Sequence, residues 1–181
     1  MARIDRPLRV AALLALGACA APAWRDLSEP VSAEDLAALP SEVTSGNASR
    51  VVRRCLQRHR DAATNVHRRY GYAFRPDGFV QLLALPGSPR DRHVRTFVDY
   101  ARVESVSSET FLDPTRLRRS FRVTLRGSFR RWEAAVSPYE PQPAIGAEPE
   151  TREVESFELV LDDPDAASRL AEAVALLRRT P

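Results

Sequence analysis

The sequence predicts an α+β domain. Apolar residues recur every three or four positions over residues 47–69, they alternate with polar residues from 70 to 161, and a second helical pattern closes the chain. We therefore expect an N-terminal amphipathic helix, a curved antiparallel sheet of about six strands and a C-terminal capping helix. Two architectures remain open: a half-barrel plugged by the last helix, and a helix packed on an open antiparallel sheet.

The first helix is expected from Asn47 to Arg69, and Gly71 ends its periodicity. Its apolar residues fall on one arc, which should face the sheet. They are Val51, Val52, Cys55, Leu56, Ala62, Ala63 and Val66.

Strands are expected where the period changes to two. The predicted strands are Tyr70–Phe74, Phe79–Leu85, Val94–Val106, Ser120–Arg126, Phe129–Val136 and Glu153–Leu161. Pro76-Asp77-Gly78 predicts a hairpin between the first two, because Pro fixes one turn dihedral and Gly permits a positive φ. Gly127-Ser128 predicts a tight turn between the fourth and the fifth. Residues 137–150 hold four prolines and no periodicity, which indicates a surface loop.

The last helix carries clear start signals. Asp163 is expected to cap it, Pro164 suits the first helical position, and Asp165 favours the positive end of the helix dipole.

The N-terminus has the features of an export signal. Three arginines and one aspartate precede an apolar run, Val10 to Leu16. Seven helical residues span about 10 Å, so this run cannot cross a hydrocarbon layer of roughly 30 Å.

The run ends in Leu16-Gly17-Ala18-Cys19, which resembles the lipobox of bacterial lipoproteins. The resemblance implies cleavage before Cys19 and attachment of acyl chains to that cysteine, with Ala20 directing the protein to the outer membrane, facing the periplasm. Two or more acyl chains anchor a protein stably, whereas a single chain does not.

The predicted organisation is a signal peptide over 1–18, a lipidated tether over 19–46 and one domain over 47–181. Without residues 1–18 the net charge falls from +3 to +1. Acylation of Cys19 leaves Cys55 alone, which excludes an intrachain disulfide. All 27 basic residues are Arg, which excludes mechanisms that use a lysine base or Schiff base.

The C-terminal part resembles a pleckstrin-homology-like or GRAM-like domain. The residues that carry this resemblance are "SFRVTLRG" (120–127), "RRWEAAV" (130–136) and "VESFELVLDDPDAASRLAEAVALL" (154–177). Lipid-binding members carry several basic residues in the loop after the first strand, but here that loop, "RPDG", offers Arg75 alone. Phosphoinositide binding is therefore not predicted.

Cys55 and His59 lie four residues apart on the first helix, a spacing that can present two metal ligands. Both also lie on the apolar arc, and free cysteine is usually buried. We interpret them as a buried thiol and a hydrogen-bonded histidine, and we expect no metal site.

The opposite arc of the same helix is basic, with Arg50, Arg53, Arg54 and Arg58 at its centre. These residues are candidates for contact with an anionic membrane surface. The alternative is that they neutralise the acidic C-terminal third of the chain within the fold.

Trp132 follows two arginines and could anchor an interface or, as its alternation favours, the core. The chain contains no G-x-S-x-G, glycine-rich phosphate loop or H-E-x-x-H, so no catalytic residue or cofactor is predicted. We expect a non-catalytic binding or scaffolding domain with an envelope protein partner and no nucleic acid. A carrier of a small apolar or lipidic ligand is the alternative, and a hydrolase ranks last.

Replacing Cys19 tests the anchor. Because the sulfur is the expected acylation site, Cys19→Ser should abolish incorporation of radiolabelled palmitate, while Cys55→Ser should leave it unchanged. Normal labelling of Cys19→Ser would contradict the lipoprotein assignment.

Overall fold

The computed structural model describes residues 39–87, 91–114, 117–136 and 150–179. They form two helices, six strands and one 3₁₀ turn. In chain order these are α1 (Ala48–Ala63), β1 (Arg69–Arg75), β2 (Gly78–Leu85), β3 (Asp91–Asp99), the 3₁₀ turn (Tyr100–Arg102), β4 (Val103–Asp113), β5 (Arg118–Val136), β6 (Glu150–Leu161) and α2 (Pro164–Leu177). The predicted α+β class is confirmed. The curved sheet stays unclosed, so the architecture is the second of the two expected, with helices packed on an open antiparallel sheet.

The long strand β5 organises the sheet. Its C-terminal half pairs with β3 and its N-terminal half with β4, so these two consecutive strands lie one after the other along the same side of β5. Strand β6 pairs with the other side of β5 across both halves. Strands β2 and β1 extend the sheet beyond β3.

The predicted strand over residues 94–106 is in fact two strands. The 3₁₀ turn at Tyr100–Arg102 interrupts it, and the Asp99 carboxylate accepts a hydrogen bond from the backbone N–H of Ala101 at 3.0 Å. Capping by a short acidic side chain competes locally with strand pairing, so the chain steps from β3 to β4 at this point.

The tight turn predicted at Gly127-Ser128 is wrong, because β5 runs straight through it. The register with both neighbouring strands shifts here, which marks a bulge. Gly127 has a φ of +153°, and a Cβ at this position would lie 2.0 Å from the carbonyl oxygen of Arg102. Glycine is needed because another backbone passes very close.

The hairpin predicted from "RPDG" is confirmed, with Arg75 opposite Gly78. The expected positive φ at Gly78 is wrong, since Gly127 is the one glycine with positive φ among the described residues. Gly78 instead meets the carbonyl oxygen of Val98, which a Cβ would approach to 2.0 Å.

Helix α1 ends at Ala63, earlier than expected. The Asn65 side chain accepts hydrogen bonds from the backbone N–H groups of His67 and Arg68, which satisfies them outside a helix. Val66 consequently lies off the apolar arc and is 76% exposed.

Both helices contact the sheet, and they also contact each other. The space between them and the sheet is filled by a core that includes four fully buried aromatic rings, those of Tyr72, Phe79, Phe129 and Phe157. Val43 belongs to the same core, so the packed part of the chain begins before residue 47. The start of α2 is as predicted, since the Asp163 carboxylate accepts from the N–H of Asp165 at 2.9 Å.

Adding a methyl group at Gly78 tests the close approach. Gly78→Ala should lower the free energy of unfolding by about 2–3 kcal/mol, because the backbone of β3 must move away from the new Cβ. Urea unfolding measures this. Gly46→Ala is the matched control, since its Cβ would have no atom closer than 3.9 Å, and it should change stability by less than about 0.5 kcal/mol. Equal effects of the two changes would contradict the steric explanation.

Candidate binding surface

The sheet has two faces with different surroundings. One, here called the helix face, carries the core rings and contacts α1 and α2. Because side chains alternate along a strand, every second residue points to the opposite side, here called the outer face. On β3 and β5 the outer face carries Arg95 and Phe97 opposite Trp132 and Arg130.

These four residues form two cross-strand pairs, here called the arginine–aromatic quartet. Arg95 lies directly opposite Trp132, and its guanidinium carbon is 4.5 Å from the centre of the indole ring. Arg130 lies opposite Phe97, with its guanidinium carbon 4.6 Å from the ring centre. A cation over an aromatic face at this distance is held by the ring's quadrupole.

The charges of the quartet differ from those of the arginines around it. Arg75 is paired with Asp77 at 3.2 Å, and Arg102 with Glu153 at 3.7 Å. Within the described ranges, no carboxylate forms an ion pair with Arg95 or Arg130. Partial burial lowers the pKa of Arg95 from its usual value, but a guanidinium stays protonated in proteins. Glu153 lies directly opposite Arg130 on β6 but is paired with Arg102, so neither charge of the quartet forms an ion pair with a described residue.

Trp132 does not anchor the core, so that expectation is wrong. It is half-buried beneath Arg95 on the outer face and lies outside the core cluster. Arg130 was noted from the sequence as one of the two arginines before Trp132, but Arg95 and Phe97 were not identified. The available signal was an arginine and an aromatic residue two positions apart on each of two strands, at 95 and 97 and at 130 and 132.

The four arginines predicted on α1 lie in different surroundings. Arg50 is exposed, Arg53 stacks over Phe74 at 4.7 Å, and Arg54 is only 8% exposed. Arg58 lies 3.6 Å from Asp163, the residue that caps α2. The contact between Arg58 and Asp163 is of the kind that the neutralisation hypothesis expects. Contact of these arginines with a membrane stays a prediction.

Cys55 and His59 are both buried against the core. The Cys55 thiol donates to the carbonyl oxygen of Ala166 at 3.4 Å, and burial raises its pKa to about 12. His59 Nδ1 is 2.8 Å from the hydroxyl of Tyr72, which also accepts a hydrogen bond from Gln81 at 3.1 Å. Both side chains therefore make bonds within the fold that match their predicted structural roles. The described part of the chain contains no cluster of three or more metal-ligating side chains.

A small cavity lies where the end of α1 meets the start of α2. It measures about 70 Å³ and is lined mainly by apolar atoms of Ala62, Ala63, Leu161 and Ala166. Ligand pockets usually measure about 300–1,000 Å³, so this space is too small for a lipid. A larger depression of about 500 Å³ beside Gly127 is open and lined by charged residues such as Glu104 and Arg126.

Cys19 lies outside the described residues. No helix among those described is long and apolar enough to cross a membrane. Compared with known protein families, with curated proteins and with solved structures, the chain matches none of them.

His93 shares the outer face with Arg95, and its pKa gives a pH test. Burial lowers this pKa below the usual 6.5, Asp91 opposes the shift and Arg95 adds to it. The unfolded chain therefore binds a proton more readily than the folded chain, so stability should fall as the pH decreases below about 6.5. Urea unfolding at about pH 7.5 and about pH 5 should show a larger loss for the natural chain than for His93→Gln.

The two proteins differ at this one position, so the difference between the two pH dependences reports on His93 alone. Identical pH dependences would contradict a lowered pKa in the folded state.

Proposed function

We propose that the protein is a bacterial lipoprotein, held on the periplasmic side of the outer membrane by acyl chains on Cys19. Its domain binds a protein partner at the membrane surface and performs no catalysis. The observation that carries this proposal is the filled interior of the domain: aromatic rings from four strands and aliphatic side chains from both helices pack together on the helix face of the sheet. A ligand or partner must therefore bind at the surface of the domain.

The filled interior also ranks the alternatives. A carrier needs an apolar pocket of several hundred Å³, whereas the apolar cavity between the helices, within the described residues, measures about 70 Å³. A hydrolase using Cys55 needs an accessible thiolate, but this thiol is fully buried and its pKa is raised to about 12. The outer face, in contrast, presents aromatic and arginine side chains, which are enriched in protein interfaces.

Cross-linking in intact cells tests the proposal. A photoreactive amino acid is introduced into the full chain at position 130 on the outer face and, separately, at exposed position 119 on the same strand but the opposite face. We expect a discrete cross-linked protein from at least one position. Cys19→Ser should remove this product, because the unanchored chain no longer concentrates at the membrane.

Native mass spectrometry of the full chain extracted from membranes tests the carrier alternative. The expected mass is that of the chain with its covalent acyl groups. A stoichiometric lipid released on denaturation, together with no cross-linked protein, would overturn the proposal in favour of a carrier.

A further inference from the structure

We propose that the arginine–aromatic quartet binds an extended acidic segment of a protein, with carboxylates on alternate residues facing Arg95 and Arg130. This inference rests on the proposed function as a binding domain and names the chemistry of the partner.

The two guanidinium groups of the quartet are held in place by the aromatic rings. Each stacks with its carbon 4.5–4.6 Å from a ring centre, and this contact uses the flat side of the group. The N–H donors of a guanidinium lie in its plane, so stacking leaves them directed along the surface and outwards. Neither group is ion-paired with a carboxylate in the described part of the chain, since Glu153, directly opposite Arg130 on β6, pairs with Arg102 instead. The rings thus hold two sets of donors ready for an anion.

The spacing of Arg95 and Arg130 matches the spacing of alternate residues in an extended segment. Arg95 is opposite Trp132, and Arg130 lies two residues before Trp132, so the two arginines are diagonal neighbours on adjacent strands. Such neighbours are about 7–8 Å apart. In an extended segment, residues two positions apart are separated by about 6.6–6.8 Å and point to the same side. Two carboxylates on alternate residues therefore match the two arginines, while the intervening side chain points away from the sheet.

Two carboxylates beside the quartet favour a protein segment over an anionic membrane as its partner. Asp99 and Glu153 line a depression of about 280 Å³ directly beside Phe97 and Arg130. A continuous anionic surface would press phosphates against these carboxylates as well as against the arginines. A single segment can place uncharged residues next to Asp99 and Glu153. The alternation of charges on this face therefore favours a segment with discrete acids.

Peptide binding to the full lipidated chain in non-ionic detergent tests the inference. The change Trp24→Phe leaves Trp132 as the one tryptophan, so its fluorescence reports on the quartet. Two capped heptapeptides have the same composition, five threonines and two glutamates. In one the glutamates occupy alternate positions, and in the other they are adjacent and point to opposite sides. We expect the alternate peptide to bind about 10-fold more tightly.

Substitutions locate the binding site. Arg95→Gln and Arg130→Gln should each weaken binding of the alternate peptide about 10-fold, the usual scale for losing one charge-assisted contact. Arg92→Gln is the matched control: it removes the same charge from an exposed position of β3 that points to the opposite face. It should leave the affinity within about 2-fold, because a screened charge at this distance contributes little.

Three results would overturn the inference. The first is equal affinity for the two peptides, and the second is a loss in Arg92→Gln as large as that in Arg95→Gln. The third is binding of bis(glycerophospho)glycerol, the two-phosphate headgroup of cardiolipin without its acyl chains, as tightly as the alternate peptide and with the same dependence on Arg95 and Arg130. That third result would assign the quartet to lipid headgroups. If one of these results is obtained and the cross-linked protein is still formed in cells, the proposed function stands and only this inference fails.

Discussion

The close passage of the 3₁₀ turn over Gly127 is the constraint on which the sheet depends. At this point the carbonyl oxygen of Arg102 occupies the space that any side chain at 127 would need. Because glycine leaves that space open, β5 continues through the bulge. One half of β5 pairs with β4 and the other half pairs with β3. A residue with a Cβ would force the two backbones apart and divide the sheet at its centre.

The close contact at Gly127 also determines where the quartet lies on the sheet. Beyond the bulge, β5 pairs with β3 in a register that sets Arg130 opposite Phe97 and Trp132 opposite Arg95. A slip of one residue would send both quartet side chains of one strand to the other face and break both stacked pairs. The stacked charges of the outer face are thus a consequence of strand register, which in turn depends on the bulge.

Sequence patterning predicted the elements whose causes are local. The start of α2 follows from Asp163 and Pro164, and the hairpin at 75–78 follows from turn chemistry, so both were found. The wrong predictions concern residues whose role depends on a contact with a residue distant in the sequence. Gly127 was interpreted as a turn glycine and Gly78 as a glycine that needs positive φ. Each is instead required by a carbonyl oxygen from elsewhere in the chain, that of Arg102 in the 3₁₀ turn and that of Val98 in β3, which no local pattern reveals. For the same reason the two halves of β5 were counted as separate strands, and β3 and β4 as one.

The quartet was missed for a related reason, because which residues face each other across strands depends on register. Arg122 is another arginine stacked on a ring in the same sheet, and comparison with it shows how the quartet differs in its ion pairs. Arg122 also stacks on an aromatic ring, that of Phe111 at 4.6 Å, but Glu109 lies 3.0 Å and Glu158 3.8 Å from its guanidinium nitrogens. That site supplies its own carboxylates on neighbouring strands, with Glu109 directly opposite Arg122. In the quartet, Glu153 lies directly opposite Arg130 but is ion-paired with Arg102, and no described carboxylate is ion-paired with Arg95 or Arg130. An acidic segment would therefore complement both stacked guanidinium groups.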